Sequence, residues 1–393
     1  MGLREFQEFH VHEVPRLLAA GQGAGAARDI GEGRSLALRS PDGSAYTYRS
    51  VGGDIVLERG DGGESTDAVI ELADDAFDDL VSEAWSVFGL LYGDRVKVAR
   101  GDFNAFARWE APLQSLWFGR PIYGADTVAA LEDLDVHREF TLADDDEQLR
   151  TFLATAGFLV LRKVFSPDEI AAFNAIVAEQ RAKSAPGDGR SWWATRSDGE
   201  EVCCRLTYLA QRSPELARLA SDPRLARISS IADPRLLPCT DRLDGMSVVI
   251  KNPSVVAGLS DLPWHRDCGV GGHRVLCPGL NVGIQLDRAD AQNGQLHFLA
   301  GSHHHAAQQT LPPLDGLPTI AVDAEPGDVT VHFSHVLHAA PAPSSPTASR
   351  KAMYVGFHLP EAFDVVGAGE AYNDVLVKRD AGRVKSPDEV MAG

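Results

Sequence analysis

Among the thirteen histidines of this 393-residue chain, one stands in a pattern with chemical consequence, Pro263-Trp264-His265-Arg266-Asp267. In an extended segment residues i and i+2 share a face, so the His265 imidazole and the Asp267 carboxylate can turn toward one ion while Arg266 points away. Two histidines and one carboxylate can hold a mononuclear non-haem iron(II) on one face of an octahedron. The other positions are then open for a chelating co-substrate and dioxygen. A His-x-Asp tripeptide alone is weak grounds for a metal. The triad needs a third ligand, for which His332, His335 and His338 compete.

The surrounding residues supply strands on which such a site could be mounted. Met246–Lys251 is β-rich, and Asn281–Leu286 reads as a strand with Asn281, Gly283 and Gln285 on one face. Gly327-Asp328 marks a turn, and Val329–Phe333 alternates as a strand with one apolar face. His338 precedes a proline-rich loop, after which Arg350–Phe357 alternates again, with Arg350, Ala352 and Tyr354 on one side. An arginine fixed on a barrel strand can grip a carboxylate with two parallel hydrogen bonds.

Read in order, Lys251-Asn252-Pro253, Trp264-His265-Arg266-Asp267, Asn293-Gly294-Gln295-Leu296, Gly301-Ser302-His303, Gly327-Asp328, His338 and Arg350 resemble the phytanoyl-CoA dioxygenase family of Fe(II)- and 2-oxoglutarate-dependent oxygenases. The resemblance covers roughly residues 140–360, a length suited to one barrel domain. It implies a double-stranded β-helix, or jelly roll, of cupin-like type. His265, Asp267 and His338 would ligate iron. His338 is preferred to His332 and His335 because its spacing from Gly327-Asp328 and Arg350 fits the family.

By the same resemblance Arg350 would bind the distal carboxylate of 2-oxoglutarate. Ser247 stands where family members can touch that co-substrate, and Lys251 would either contact it or reach to the rim. Two departures stand out. Gly283 replaces a bulkier or polar residue and so would enlarge the pocket, with Asn281 as the substitute polar contact. Ala340 lacks a hydroxyl that many relatives carry, which leaves one carboxylate hydrogen bond unassigned.

The chemistry implied consumes O2 and 2-oxoglutarate, releases succinate and CO2, and acts on a small-molecule substrate. Relatives that halogenate have a small residue in place of Asp267, so its presence favours hydroxylation; desaturation or ring closure would use the same ligands. Two other readings stay open. One is a lipid or small-molecule carrier on a barrel without catalysis; the other is a cupin-like metalloenzyme that does not use 2-oxoglutarate.

Composition sets the background. The chain has 37 Lys and Arg against 56 Asp and Glu, a net charge of -19, with no basic cluster, which opposes nucleic acid as a partner. No apolar run is long enough to span a bilayer, and Met1–Phe6 lacks signal-peptide character, so cytoplasmic residence is expected. The five cysteines form no CxxC pair and are expected to be reduced. Homo-oligomerisation is not readable from the sequence.

The expected organisation is an N-terminal arm over 1–34, a small α+β domain over 35–123, a connection over 124–145, the oxygenase domain over 146–360 and a tail over 361–393. The arm includes Gly21–Gly25, read as linker, and His10 and His12, read as structural or surface residues. In the small domain, short strands over 35–39, 45–49, 55–58 and 68–72 precede a helix from Asp74 that carries Phe77, Leu80, Val81, Ala84 and Trp85. Its element order resembles the sterol-carrier-protein-2-like fold; an ordinary aromatic core is the preferred reading over a lipid tunnel.

Further on, Leu149 to Ala156 forms a helix face ended by Gly157, Phe158–Leu161 a buried strand, and Ser166-Pro167-Asp168-Glu169 a capping box. Residues 184–205, with Trp192 and Trp193, read as a loop that either covers the barrel mouth or plugs its wall. In His303-His304-His305, His303 belongs to a turn and the other two are expected in solvent.

Overall fold

The computed structural model describes residues 5–121, 125–258, 262–270, 273–305, 316–369 and 383. It divides into two compact units, one built on Met1–Gly124 and the other on Ala125–Cys268, Val275–His303 and Pro312–Gly393; Gly269–Arg274 and His304–Leu311 group with the first. Most of the expected tail, and residues 122–124 at the junction of the expected small domain and connection, lie outside the described residues. Among the described residues no helix is long and apolar enough to cross a membrane.

In the first unit β1 (Ser35–Arg39), β2 (Ala45–Val51), β3 (Asp54–Arg59), β4 (Ala68–Leu72) and β5 (Val96–Arg100) form one sheet, in the order β3-β2-β1-β4-β5. Antiparallel hairpins join β1 to β2 and β2 to β3, while β4 runs parallel to β1. The helix from Asp74 stops at Val81, because Glu83 takes a left-handed conformation (φ 58°); Ala84 and Trp85 lie beyond it. Phe6, Phe9, Tyr46, Tyr48, Phe77, Trp109 and Trp117 are buried together, with edge-to-face contacts such as Phe9 to Trp117 at 5.7 Å.

The linker reading of Gly21–Gly25 is corrected here. Gly23–Ile30 is a helix, and its glycines serve close packing: a Cβ on Gly23 would fall 2.0 Å from an Asp54 carboxylate oxygen, and one on Gly25 would fall 3.1 Å from the Ser115 hydroxyl.

The second unit is a double-stranded β-helix. Its larger sheet contains β6 (Phe158–Leu161), β7 (Ser191–Arg196), β8 (Glu201–Leu206), β9 (Leu237–Cys239), β10 (Ser247–Lys251), β11 (Val255–Ala257), β13 (Gly279–Gln285), β16 (Val329–Phe333) and β18 (Arg350–His358). They run in the order β11-β7-β8-β10-β18-β13-β16-β6, with β9 also paired to β18. The smaller sheet has the order β12 (Leu262–His265), β17 (His338–Ala340), β14 (Leu296–Leu299) and β15 (Thr319–Val322).

Residues 191–206 are thus a hairpin in the larger sheet rather than a loop. Trp192 is buried with the Arg205 guanidinium 4.7 Å from its ring, and the Trp193 indole donates to Ser191. β-branched and aromatic residues there favour the pleated surface over a loop.

Local signals set the approach to the site. Asp145 caps the helix Asp146–Ala156, and Gly157 ends it at φ 87°. A Cβ on Gly157 would lie 2.3 Å from Val336 Cγ2 and 2.5 Å from His303 Nδ1, so both conformation and space require glycine beside the turn that leads into β17. The capping box on Ser166 and Glu169 starts the helix Pro167–Ala182. Asp328 is buried and accepts from the Lys163 and Glu325 amides at 2.8 Å, pinning the turn that feeds β16. His303 is buried in its turn; His305, expected in solvent, is buried too.

Candidate metal centre

Two cross-strand pairs and one turn build the centre. In the smaller sheet His265 lies opposite His338 across β12 and β17, and their ring centroids are 4.2 Å apart. In the larger sheet Asn281 lies opposite His332 across β13 and β16. Asp267 stands between the two pairs. β12 ends at His265 and Asp267 opens a 3-10 turn, so the two share an environment by a strand end and a turn rather than by one continuous strand. Arg266 between them is buried.

The two oxygens of Asp267 face different partners. Oδ1 lies 3.7 Å from His265 Nε2 and 3.5 Å from His338 Nε2. Oδ2 accepts from the Asn281 side-chain amide and lies 3.0 Å from His332 Nε2. Donor atoms of His265, Asp267 and His338 all lie within 4.8 Å of one another. The spacing is that of a cation-binding set, while Asn281 and His332 hold the carboxylate from behind.

The ring nitrogens away from the centre fix the tautomers. His265 Nδ1 is 2.7 Å from the Pro263 carbonyl and His338 Nδ1 is 2.9 Å from the Val336 carbonyl. A carbonyl only accepts, so each Nδ1 carries the proton and each Nε2 presents its lone pair inward. Three convergent lone-pair donors of His and carboxylate type fit a divalent iron. His332 has the opposite arrangement, donating Nε2–H to Asp267, which makes it a support for a ligand.

Charge follows from this enclosure. Burial pushes the His265 imidazole down to about 3, with His338 adding to the effect, and burial and His338 also lower His332. At Asp267 burial pushes upward, but the imidazoles of His338 and His332 outweigh it and keep the carboxyl well below its usual range. At His338 burial pushes downward, but Asp267 prevails and the pKa rises. An ionised carboxylate facing the Nε2 atoms of His265 and His338 suits a cation, and the raised pKa of His338 means that metal binding competes with a proton there. Asp267 keeps 34% of its side-chain area open, which gives the set one accessible side.

The inner face of the larger sheet continues away from this centre. Gly283 and Ser247 lie opposite Tyr354, and Lys251 lies opposite Arg350. Arg350 is buried and donates Nε and Nη2 to the Gly294 carbonyl at 2.9 and 2.6 Å, so the edge expected to clasp a carboxylate is partly engaged by backbone. Lys251 does not reach the rim: it is fully buried, and its ammonium donates to the Ala340 carbonyl. Ser247 accepts from Arg205 Nη2 at 3.3 Å.

Asn281, expected to contact the co-substrate, donates its side-chain amide to Asp267 from its place opposite His332. One expectation needs correction. Gly283 does not enlarge the pocket: a Cβ there would meet Tyr354 Cε1 at 2.6 Å and Thr330 Oγ1 at 2.8 Å, so the neighbouring strands fill the space. The supporting role of His332 was missed, although the alternation of Val329–Phe333 already put Thr330 and His332 on one polar face.

The phytanoyl-CoA dioxygenase family model matches residues 153–352, just over half of the chain. The chain belongs to the phytanoyl-CoA dioxygenase family. Fe(II) and 2-oxoglutarate are the cofactors of that family, and the donor set above suits the metal. The match begins after the first unit, so the sterol-carrier likeness of that unit is carried by no comparison.

Among solved structures, EvdMO1 is 24% identical (TM-score 0.44), with 55% of this chain and 50% of that chain covered; the chain thus spans half the length of EvdMO1. SnoK, a non-haem α-ketoglutarate-dependent carbocyclase from nogalamycin biosynthesis, is 21% identical (TM-score 0.44), covering 60% and 96%. EctD from S. alaskensis, solved with bound Fe, is 17% identical (TM-score 0.45), covering 61% and 85%. No curated protein sequence matches the chain.

Proposed function

We propose that the chain is an Fe(II)- and 2-oxoglutarate-dependent dioxygenase that hydroxylates an unactivated C–H bond of a small or lipophilic organic substrate. The observation that carries this reading is the convergence of His265 Nε2, Asp267 and His338 Nε2 within 4.8 Å, with both Nδ1 protons committed to backbone carbonyls. The expected iron ligands are those three residues. Iron held there would supply a centre at which O2 is reduced while 2-oxoglutarate is oxidised to succinate and CO2, one oxygen atom going to each of succinate and substrate.

The residues of the chain have separable tasks in this reading. Asn281 and His332 hold Asp267 Oδ2 so that Oδ1 stays turned to the metal position. Arg350 and Lys251 place two buried cations side by side on the inner face, an arrangement that repels itself unless an anion lies near, and a dicarboxylate co-substrate is such an anion. Asp267 occupies the ligand position that a halide would need, which favours hydroxylation over halogenation.

Anaerobic addition of Fe(II) and then 2-oxoglutarate to the metal-free protein tests the assignment. A visible charge-transfer band that requires 2-oxoglutarate, is absent in Asp267→Ala and weakens in Arg350→Ala is the expected result. Iron binding without that band would sink the 2-oxoglutarate assignment. Substrate candidates are then screened for oxygen incorporation and for succinate release coupled to it.

A further inference from the structure

The register of β13 and β18 brings Tyr354, which shares a face with Arg350, over Gly283. Gly283 lies opposite Tyr354, and a Cβ on Gly283 would sit 2.6 Å from Tyr354 Cε1 and 3.1 Å from Cδ1. The ring edge therefore lies over the bare backbone of Gly283, and this glycine is the condition for that placement. Tyr354 shares its face of β18 with Arg350, and Ala352 between them carries only a methyl group. Neighbouring strands add Ser247 opposite Tyr354, Lys251 opposite Arg350, and the Thr330 hydroxyl close to Gly283.

We propose that the Tyr354 hydroxyl is a donor to the distal carboxylate of 2-oxoglutarate, supplying from β18 the hydroxyl that Ala340 cannot supply from β17. The proposal rests on the function argued above, and on two structural facts besides. Ala340 lies beside the Arg350 end of β18, because its carbonyl accepts from Lys251, the residue opposite Arg350. Arg350 gives Nε and Nη2 to Gly294, which leaves part of a carboxylate's hydrogen-bonding capacity for another donor. A neutral phenol serves that need without adding a third buried charge beside Arg350 and Lys251.

Tyr354→Phe removes the hydroxyl and keeps the ring over Gly283. Dissociation constants would be measured anaerobically on the Fe(II)-loaded full chain for 2-oxoglutarate and for 2-oxovalerate, which lacks the distal carboxylate. Fe(II) affinity would be measured separately. The expected result is a roughly ten- to hundredfold weaker 2-oxoglutarate complex, by the worth of a hydrogen bond to a charged group, with 2-oxovalerate and Fe(II) affinities within about twofold of wild type.

Gly283→Ala is the second variant. It keeps the hydroxyl but pushes the ring aside, and should reproduce the selective loss. Unchanged 2-oxoglutarate affinity in Tyr354→Phe, or an equal loss for both acids, overturns the proposal. Wild-type protein that binds Fe(II) but no 2-oxoglutarate is a different outcome: it overturns the functional reading, and this proposal falls with it.

Discussion

His10 in the first unit and His338 in the second are both buried histidines, and they behave in opposite ways. The His10 ring stacks on Tyr46 at 4.5 Å and 5°, its Nδ1 is 2.7 Å from the Phe6 carbonyl of its own helical segment, and among the described residues its Nε2 has no hydrogen-bond partner. Burial presses its pKa down to about 4. His338 has the same kind of backbone tie at Nδ1, but its Nε2 faces Asp267, and its pKa rises despite burial. Burial is common to both; the carboxylate is the difference. A buried histidine in aromatic surroundings is kept neutral and serves packing, whereas one that shares a carboxylate with a second histidine becomes part of a cation site.

Removing the carboxylate should make the two environments alike. Asp267→Ala is expected to weaken Fe(II) binding by more than about 100-fold, beyond what losing an outer-shell partner does. Anaerobic competition with a metal chelator measures it. The first unit should be untouched, so its near-ultraviolet signal from Trp109 and Trp117 should melt as in wild type. If Asp267→Ala retains wild-type iron affinity, the carboxylate is not the deciding element.

The next largest effect belongs to His10. Its folded-state pKa of about 4 lies below the unfolded value of 6.5, so the unfolded chain binds the extra proton in between. Stability of the first unit is then full above pH 6.5 and is lost as pH falls toward 4, by about 3 kcal/mol in all. Melting followed by the tryptophan signal at pH 7.5, 5.5 and 4.5 should show the loss. His10→Phe, which keeps an aromatic ring against Tyr46, should flatten it. An equally steep pH dependence in His10→Phe would assign the effect to other groups.

What was legible in the sequence divides along the same line as the physics. Spacings within one segment were readable: His265 and Asp267, the capping box at Ser166, the Gly157 stop, and the alternation in 281–286, 329–333 and 350–357. These follow from local geometry, whereas the jelly-roll class was implied by the family resemblance of the ordered motifs. Registers between segments were not readable. That Asn281 meets His332, or that Gly283 meets Tyr354, depends on which strands pair and in what phase, some 50 to 70 residues apart. Composition also misled where glycine serves contact: Gly23 looked like linker because its neighbour Asp54 is invisible to a local reading.

The smallest expected effect concerns the partners behind Asp267, and it separates a positioned carboxylate from a merely present one. Asn281→Ala and His332→Phe each remove one donor to Oδ2 and leave all three proposed ligands in place. Each should weaken Fe(II) binding by roughly 10- to 100-fold, the range for lost outer-shell partners. Because both donors act on the same oxygen, the double variant should lose less than the product of the two single losses. A multiplicative loss would mean that Asn281 and His332 act independently, for instance by packing β13 against β16. A variant with unchanged affinity would mean that Oδ1 is held toward the metal by the turn at Asp267 alone, which would make the backbone, and not the second pair of side chains, the reason this site differs from the aromatic surroundings of His10.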